Sequence, residues 1–184
     1  MSVLRCLNLE VNKRGEMIKK IIVVMLLLGV NIYAGLIEEG IAEARKGKNV
    51  EALKLFEQAC IVDKTAQGCF YSGQAYSKGT VVTKDMGKAL DFFNKSCDLG
   101  YTSGCMIVGS SYYYGRNVKK DYDKAQVIFK IACNQGDANG CFLLGSMYDL
   151  GQGIKRDVIK AKQLYIKACD YGSNMACKYK QQMQ

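Results

Sequence analysis

The 184-residue chain contains no proline, no histidine and no tryptophan, and each absence narrows what it can be. Without proline only glycine is left as a strong breaker, which suits a series of helices joined by glycine turns. Without histidine the chain lacks the usual general base of nucleophilic catalysis and the commonest metal ligand. There is no membrane-length apolar run: the longest, Ile21 to Val30, spans ten residues, where a transmembrane helix needs about 20. No Ser-x-x-Lys, Ser-Asp-Asn or Lys-Thr-Gly occurs, so the motif set of the serine β-lactamases is missing. There is no Cys-x-x-Cys pair either, which with the missing histidine argues against a zinc centre or a redox site. No cofactor and no metal is expected, and no catalytic residue can be assigned.

Long blocks of like charge are also missing, although the formal net charge is +9. A nucleic-acid surface would show a basic stripe with interleaved aromatics. Lysines such as Lys84, Lys119, Lys120 and Lys155, with Arg156, read instead as a solvated loop face. Nucleic acid is therefore not an expected partner, while adhesion to an acidic surface stays compatible with the charge.

What is present in excess is cysteine, nine in all. Lys19 and Lys20 precede the apolar run Ile21 to Val30, and Asn31-Ile32-Tyr33-Ala34 follows. This is the layout of a secretory signal with cleavage after Ala34. Met17 opens Met-Ile-Lys-Lys, a natural signal start, so residues 1–16 are expected to be an upstream extension and residues 1–34 to be absent from the working protein. Their loss removes five basic and two acidic residues, leaving 21 basic and 15 acidic and a net charge of +6. It also removes Cys6, leaving eight cysteines for an oxidising compartment. The expected location is secreted or periplasmic, with no stable membrane insertion after cleavage.

A repeat of 36 residues organises residues 35–184. Cys69, Cys105, Cys141 and Cys177 recur at that interval, as do Cys97, Cys133 and Cys169. Glycines recur at 73, 109 and 145, at 79, 115 and 151, and at 100, 136 and 172; tyrosines at 76, 112 and 148; aspartates at 85, 121 and 157; Lys-Ala at 88–89, 124–125 and 160–161. The units are about 36–67, 68–103, 104–139 and 140–175, with a C-terminal cap at 176–184. Each full unit holds two amphipathic helical patterns. Cys105, Val108, Gly109 and Tyr112 have i, i+3, i+4, i+7 spacing, and so do Ala125, Ile128, Phe129 and Ala132 before Cys133. Asp85, Asp121 and Asp157 stand where N-caps belong, and Gly115 and Gly136 where helices end. Gly109 lies inside a helix, at a cost of roughly 1 kcal/mol relative to alanine. A cost repeated in each unit predicts close approach of a neighbouring helix. The first unit is abbreviated, with helical patterns over 38–46 and 50–60, no long central loop and the character of an N-terminal cap.

Cys97/Cys105, Cys133/Cys141 and Cys169/Cys177 are spaced C-x7-C, and Cys60/Cys69 C-x8-C. One member closes a second helix and the other opens the next first helix, across a short turn. Eight cysteines allow 105 connectivities. The repeat favours the sequential one, 60–69, 97–105, 133–141 and 169–177, because facing helix ends can reach the roughly 5.5–6 Å Cα separation a disulfide needs.

The run Gly145-x-x-Tyr148-x-x-Gly151-x-Gly153-Ile154-x-x-Asp157-x-x-Lys160-Ala161 resembles the Sel1-like repeat, a relative of the tetratricopeptide repeat. With a C-x7-C pair per hairpin and a signal segment, the chain resembles the Helicobacter cysteine-rich protein family over residues 36–181, its first unit departing by lacking Gly-x-x-Tyr. The resemblance implies an all-α fold, a right-handed αα-hairpin solenoid with one disulfide per hairpin. It also implies binding of penicillin-type compounds, slow β-lactamase activity and a role in host interaction.

If the stack curves as its relatives do, the first helices line a concave groove. Positions one turn off the buried stripe would face it: Phe70, Gln74, Ser77, Met106, Ser110, Tyr113, Tyr114, Phe142, Ser146 and Asp149. Among these, Ser77, Tyr113 and Asp149 share one repeat position and vary between units, while the recurrent cysteines, glycines and aspartates do not. Tyr113 and Tyr114 either anchor a ligand or cover a helix end, and Tyr76 and Tyr148 read as core. The preferred expectation is a monomeric secreted scaffold that binds a peptide, protein, β-lactam or cell-wall fragment. A slow β-lactam hydrolase and a structural or adaptor protein without activity are the alternatives.

Overall fold

A computed structural model describes residues 32–182, and among them every regular element is a helix. The helices are α1 (Ile32–Arg45), α2 (Asn49–Ile61), α3 (Ala66–Lys78), α4 (Met86–Asp98), α5 (Thr102–Tyr114), α6 (Tyr122–Asn134), α7 (Ala138–Leu150), α8 (Val158–Asp170) and α9 (Asn174–Gln182). The expected signal run lies outside the described residues, and the expected cut after Ala34 falls in the first turn of α1. The first two helices are longer than the sequence pattern suggests, starting at Ile32 and Asn49 rather than at 38 and 50.

From α2 to α8 each helix has 13 residues, roughly 20 Å of rod, so the layers match in length. Their ends are chemically defined. The carboxylates of Asp85, Asp121 and Asp157 accept the backbone N–H of Lys88, Lys124 and Lys160 at the starts of α4, α6 and α8. Gly79, Gly115 and Gly151 end α3, α5 and α7 with φ between 66° and 69°, the left-handed conformation that favours glycine. The connections therefore alternate. Seven-residue loops (79–85, 115–121, 151–157) join the two helices of a hairpin, and three- or four-residue turns join one hairpin to the next. The first hairpin has only residues 46–48 between its helices.

Extensive packing runs between consecutive helices throughout. Within each hairpin a helical glycine takes the ring of the partner helix. A Cβ added at Gly40 would stand 2.6 Å from Phe56, at Gly73 2.8 Å from Phe93, at Gly109 2.7 Å from Phe129, and at Gly145 3.0 Å from Tyr165. Between hairpins the short turns bring Gly68, Gly104 and Gly140 against Ala59, Ser96 and Ala132, each with a Cβ-equivalent distance of 2.8 Å. At these same crossings the cysteines are bonded 60–69, 97–105, 133–141 and 169–177, with Cα separations of 4.4 to 4.7 Å. The turn at 62–65 is one residue longer than its counterparts, which accounts for the wider Cys60/Cys69 spacing. Lys64 takes a left-handed φ of 51° there, where the other turns use Gly100, Gly136 and Gly172.

The recurrent Lys-Ala pair divides its work. Ala89, Ala125 and Ala161 are fully buried, and Lys88, Lys124 and Lys160 lie 4.1, 5.0 and 4.5 Å over the rings of Tyr76, Tyr112 and Tyr148. Glu57 of the preceding hairpin accepts the Tyr76 hydroxyl at 2.7 Å and ties α2 to α3.

Candidate functional site

The ten side chains expected to face a groove stand on one face of the first helices α3, α5 and α7. Tyr113 of α5 donates its hydroxyl to the Gln152 side chain beyond α7, and Phe142 of α7 meets Tyr179 of α9 edge-on with ring centroids 5.6 Å apart. Successive first helices therefore lie side by side on this face.

The ten groove positions divide into three groups. Phe70, Met106 and Phe142 are half-buried and pack on the core, Phe70 with Phe93 and Tyr101 at 5.7 and 5.0 Å. Gln74 lines a recess of about 170 Å³ with Tyr71 and Phe56, while Ser77 donates to the Gln74 carbonyl at 2.9 Å and Ser110 is half-buried. Tyr113, Tyr114, Ser146 and Asp149 belong to one cluster in the C-terminal half. There Tyr113 contacts Tyr114, Tyr122 and Phe129 at 4.8, 5.5 and 6.0 Å. A second aromatic group, Phe142, Tyr165 and Tyr179, has all three centroid separations between 5.2 and 5.6 Å. Ser146 joins the two groups, hydrogen-bonding both Tyr113 and Tyr165. Tyr114 stays half exposed with Arg116 4.7 Å over its ring, and Asp149 is held by Arg156, whose Nε donates to the Asp149 carbonyl at 2.7 Å.

The electrostatics favour neutral phenols. Burial, foremost, pushes Tyr165 up to about 12, and the nearby Asp149 carboxylate adds to this while the Ser146 hydrogen bond opposes it. Tyr113 is raised in the same way by burial and by Tyr114 and Tyr122. A phenol whose folded-state pKa exceeds its unfolded value of about 10 contributes its full stability below pH 10. That contribution is lost as pH climbs from 10 toward 12. The urea midpoint of Tyr165→Phe is thus expected to fall less steeply than that of the parent across pH 10 to 12, followed by circular dichroism. Equal slopes would show that Tyr165 ionises freely in the fold.

Several serines are engaged by backbone carbonyls and not by a base. Ser72, Ser77 and Ser111 donate to carbonyl oxygens three or four residues back in their own helices, and Ser96 to the Ala66 carbonyl. Ser146 contacts phenols, which at neutral pH are weak bases. Among the described residues no three of Cys, Asp and Glu gather as a metal site, and no helix is long and apolar enough to cross a membrane.

Sequence reasoning missed Tyr165, Tyr179, Tyr122 and Gln152. For Tyr165 a signal was present: it stands in register with Phe93 and Phe129, so its hydroxyl is what the third full unit adds to a core position. Tyr179 lay hidden in a polar run, and nothing in the repeat marks Gln152.

The Sel1 repeat pattern matches four segments, 25–61, 66–101, 102–137 and 138–173. Among solved structures, a Sel1 repeat protein from Oxalobacter formigenes is 29% identical, with a TM-score of 0.72 over 82% of this chain and 63% of that one. Helicobacter pylori cysteine rich protein B is also 29% identical, with a TM-score of 0.56 over 72% of this chain and 95% of its own. The protective antigen c5321 of uropathogenic Escherichia coli shares the fold at 24% identity, with a TM-score of 0.72 over 83% of this chain and 33% of that one. The chain thus spans less than two thirds of the first and third of these proteins. No curated protein matches it.

Proposed function

The chain belongs to the Sel1 repeat family, and on that premise we propose that it is a secreted or periplasmic scaffold that binds a peptide segment along the face of its first helices. The observation that carries this reading is the contrast within one chain. The cysteines, glycines and aspartates that set helix ends and crossings repeat from unit to unit, while positions 77/113/149 and 78/114/150 differ in each and bring Tyr113, Tyr114 and Asp149 together with Ser146 in one aromatic and polar cluster. Rigid rings with a polar tip are the side chains that carry binding energy at protein interfaces. Four disulfides support a location outside the cytoplasm. Peptide here includes the peptide stem of a cell-wall fragment.

The test is selection of a random peptide library on the oxidised chain, followed by titration of the enriched peptides. Tyr113→Ala/Tyr114→Ala is expected to weaken binding by roughly 30-fold or more, as loss of a hot spot does, with unchanged helical circular dichroism. No enrichment, or equal binding by the variant, would defeat the proposal. A chromogenic cephalosporin is expected to remain unhydrolysed; turnover abolished by Ser146→Ala would replace the scaffold reading with the β-lactam hydrolase.

A further inference from the structure

The two long edges of the stack differ in charge. The long-loop edge comprises 79–88, 115–124 and 151–160, each a loop with the first turn of the next helix. It carries nine Lys or Arg against four Asp, a net of +5. The opposite, disulfide-bearing edge (59–65, 96–101, 132–137 and 168–173) carries Lys64 against Asp63, Asp98, Asp137 and Asp170, a net of −3. No basic block betrays this in the linear sequence, because the lysines come from three loops and only the stacking collects them.

We infer that the long-loop edge is a second binding surface, for a linear anionic polysaccharide. Three features support this beyond net charge. First, the positive charge is left uncompensated. Asp85, Asp121 and Asp157 are engaged as N-cap acceptors. Of the nine cations only Lys88, Lys124 and Arg156 have a carboxylate within 4.0 Å among the described residues. Lys88 and Lys160 are held more firmly charged, chiefly by hydrogen bonds to Tyr76 and Tyr148.

Second, the edge is indented at the repeat interval. A recess of about 830 Å³ lies over Tyr76, Lys84 and Lys88, and another of about 650 Å³ over Tyr112, Lys120 and Lys124. Six of the eight lining positions of the first recur in the second 36 residues on, among them the tyrosine, the N-cap aspartate and both lysines. The second is closed by the next loop: Gly153 lines it and is packed so tightly on the Tyr122 Cβ that no side chain could replace its hydrogen. Successive recesses are two helix diameters apart, roughly 20 Å, so one extended chain can enter both.

Third, the recesses select among polyanions. The rings at this edge carry cations over one face, Lys88 on Tyr76, Lys124 on Tyr112 and Lys120 on Tyr122, so a nucleic-acid base would have to displace a lysine to stack there. A flat lipid surface would meet the exposed lysines at the rims without entering the recesses. Acidic groups spaced along a flexible sugar chain meet both conditions.

The test uses the oxidised chain with three probes, heparin, polygalacturonate and neutral dextran, read by calorimetry over a salt series. Both anionic polymers are expected to bind with an affinity that falls as salt rises, and dextran to show none. Lys84→Gln/Lys119→Gln/Lys120→Gln/Lys155→Gln removes four exposed charges without an ion pair and is expected to weaken binding roughly tenfold or more. The matched set Lys54→Gln/Lys64→Gln/Lys130→Gln/Lys178→Gln, away from this edge, is expected to bind as the parent does. Equal loss in both lysine sets would reduce the effect to net charge and overturn the site. Tighter binding of single-stranded DNA or of anionic phosphatidylserine vesicles at equal charge would overturn the ligand class.

Discussion

Reducing the four disulfides is expected to unfold the chain at room temperature, with loss of most of its helical circular dichroism at neutral pH. Each bond closes a loop of eight or nine residues, for which chain entropy gives roughly 2.5 kcal/mol. Four together come to about 10 kcal/mol, within the 5–15 kcal/mol that is typically the whole stability of a domain. The placement adds to the effect. The bonds lie at the crossings between hairpins, and a solenoid owes its cooperativity to such nearest-neighbour contacts. At those crossings the contacts are made by small groups, glycine against alanine or serine, which bury little apolar area. Rings cross between hairpins beside them, Phe56 to Tyr71 and Phe142 and Tyr165 to Tyr179, so the disulfides add to that packing where the contacts are smallest.

Single bonds are then expected to differ by position. Cys133→Ala/Cys141→Ala uncouples the middle of the stack, where both cysteines are buried, and should lower the main urea transition by roughly 2–4 kcal/mol. Cys169→Ala/Cys177→Ala releases only α9, so it should produce early loss of amide protection over 174–182 with a nearly unchanged main transition. Equal effects of the two variants, or a reduced chain that melts like the oxidised one, would show that packing alone holds the hairpins together.

The repeat made much of this architecture readable. Cysteine, glycine and aspartate mark places where the backbone must turn, cap or cross, and these demands are local, so their 36-residue recurrence fixes helix ends, loop lengths and hairpin order. Gly109 is an example: its intrinsic cost inside a helix implied the close approach that Phe129 makes. Less legible was everything set by the relation between units. Phe70, Met106 and Phe142 lie one turn off the stripe of their own helices, yet neighbouring units half bury them, and periodicity within one helix cannot report a neighbour. The polar run from Lys178 reads as part of a C-terminal cap, without a partner for its aromatic residue. It remains helical to Gln182 because Cys177 is bonded to Cys169 and Tyr179 packs on Tyr165 and Phe142. The cationic edge escaped for the same reason, its charges being dispersed along the chain and gathered only by stacking.

The glycine–ring pair also yields a reversal of sign as its test. Phe129 is fully buried at the middle of the stack, and Phe129→Ala is expected to cost about 3–5 kcal/mol through lost burial and the cavity left behind. Gly109→Ala should gain about 1 kcal/mol of helix propensity. Its new methyl, however, would stand 2.7 Å from Phe129 Cε1 and 3.0 Å from Ile128 Cγ2, and such overpacking typically costs about 1–3 kcal/mol. In the parent the second effect wins, because the ring is walled in by Tyr113 and by the buried neighbours Leu144 and Met147 and cannot retreat. In the Phe129→Ala background the nearer obstacle is gone, and the vacated space beside position 109 lets the Ile128 methyl give way. There the same substitution keeps its propensity gain, recovers part of the lost packing and should stabilise. The urea midpoints of the two single variants and the double variant form a cycle whose expected coupling is about 2 kcal/mol, within the range for residues in direct contact. Were Gly109→Ala equally destabilising in both backgrounds, the glycine would be required by its own backbone and not by the ring across from it.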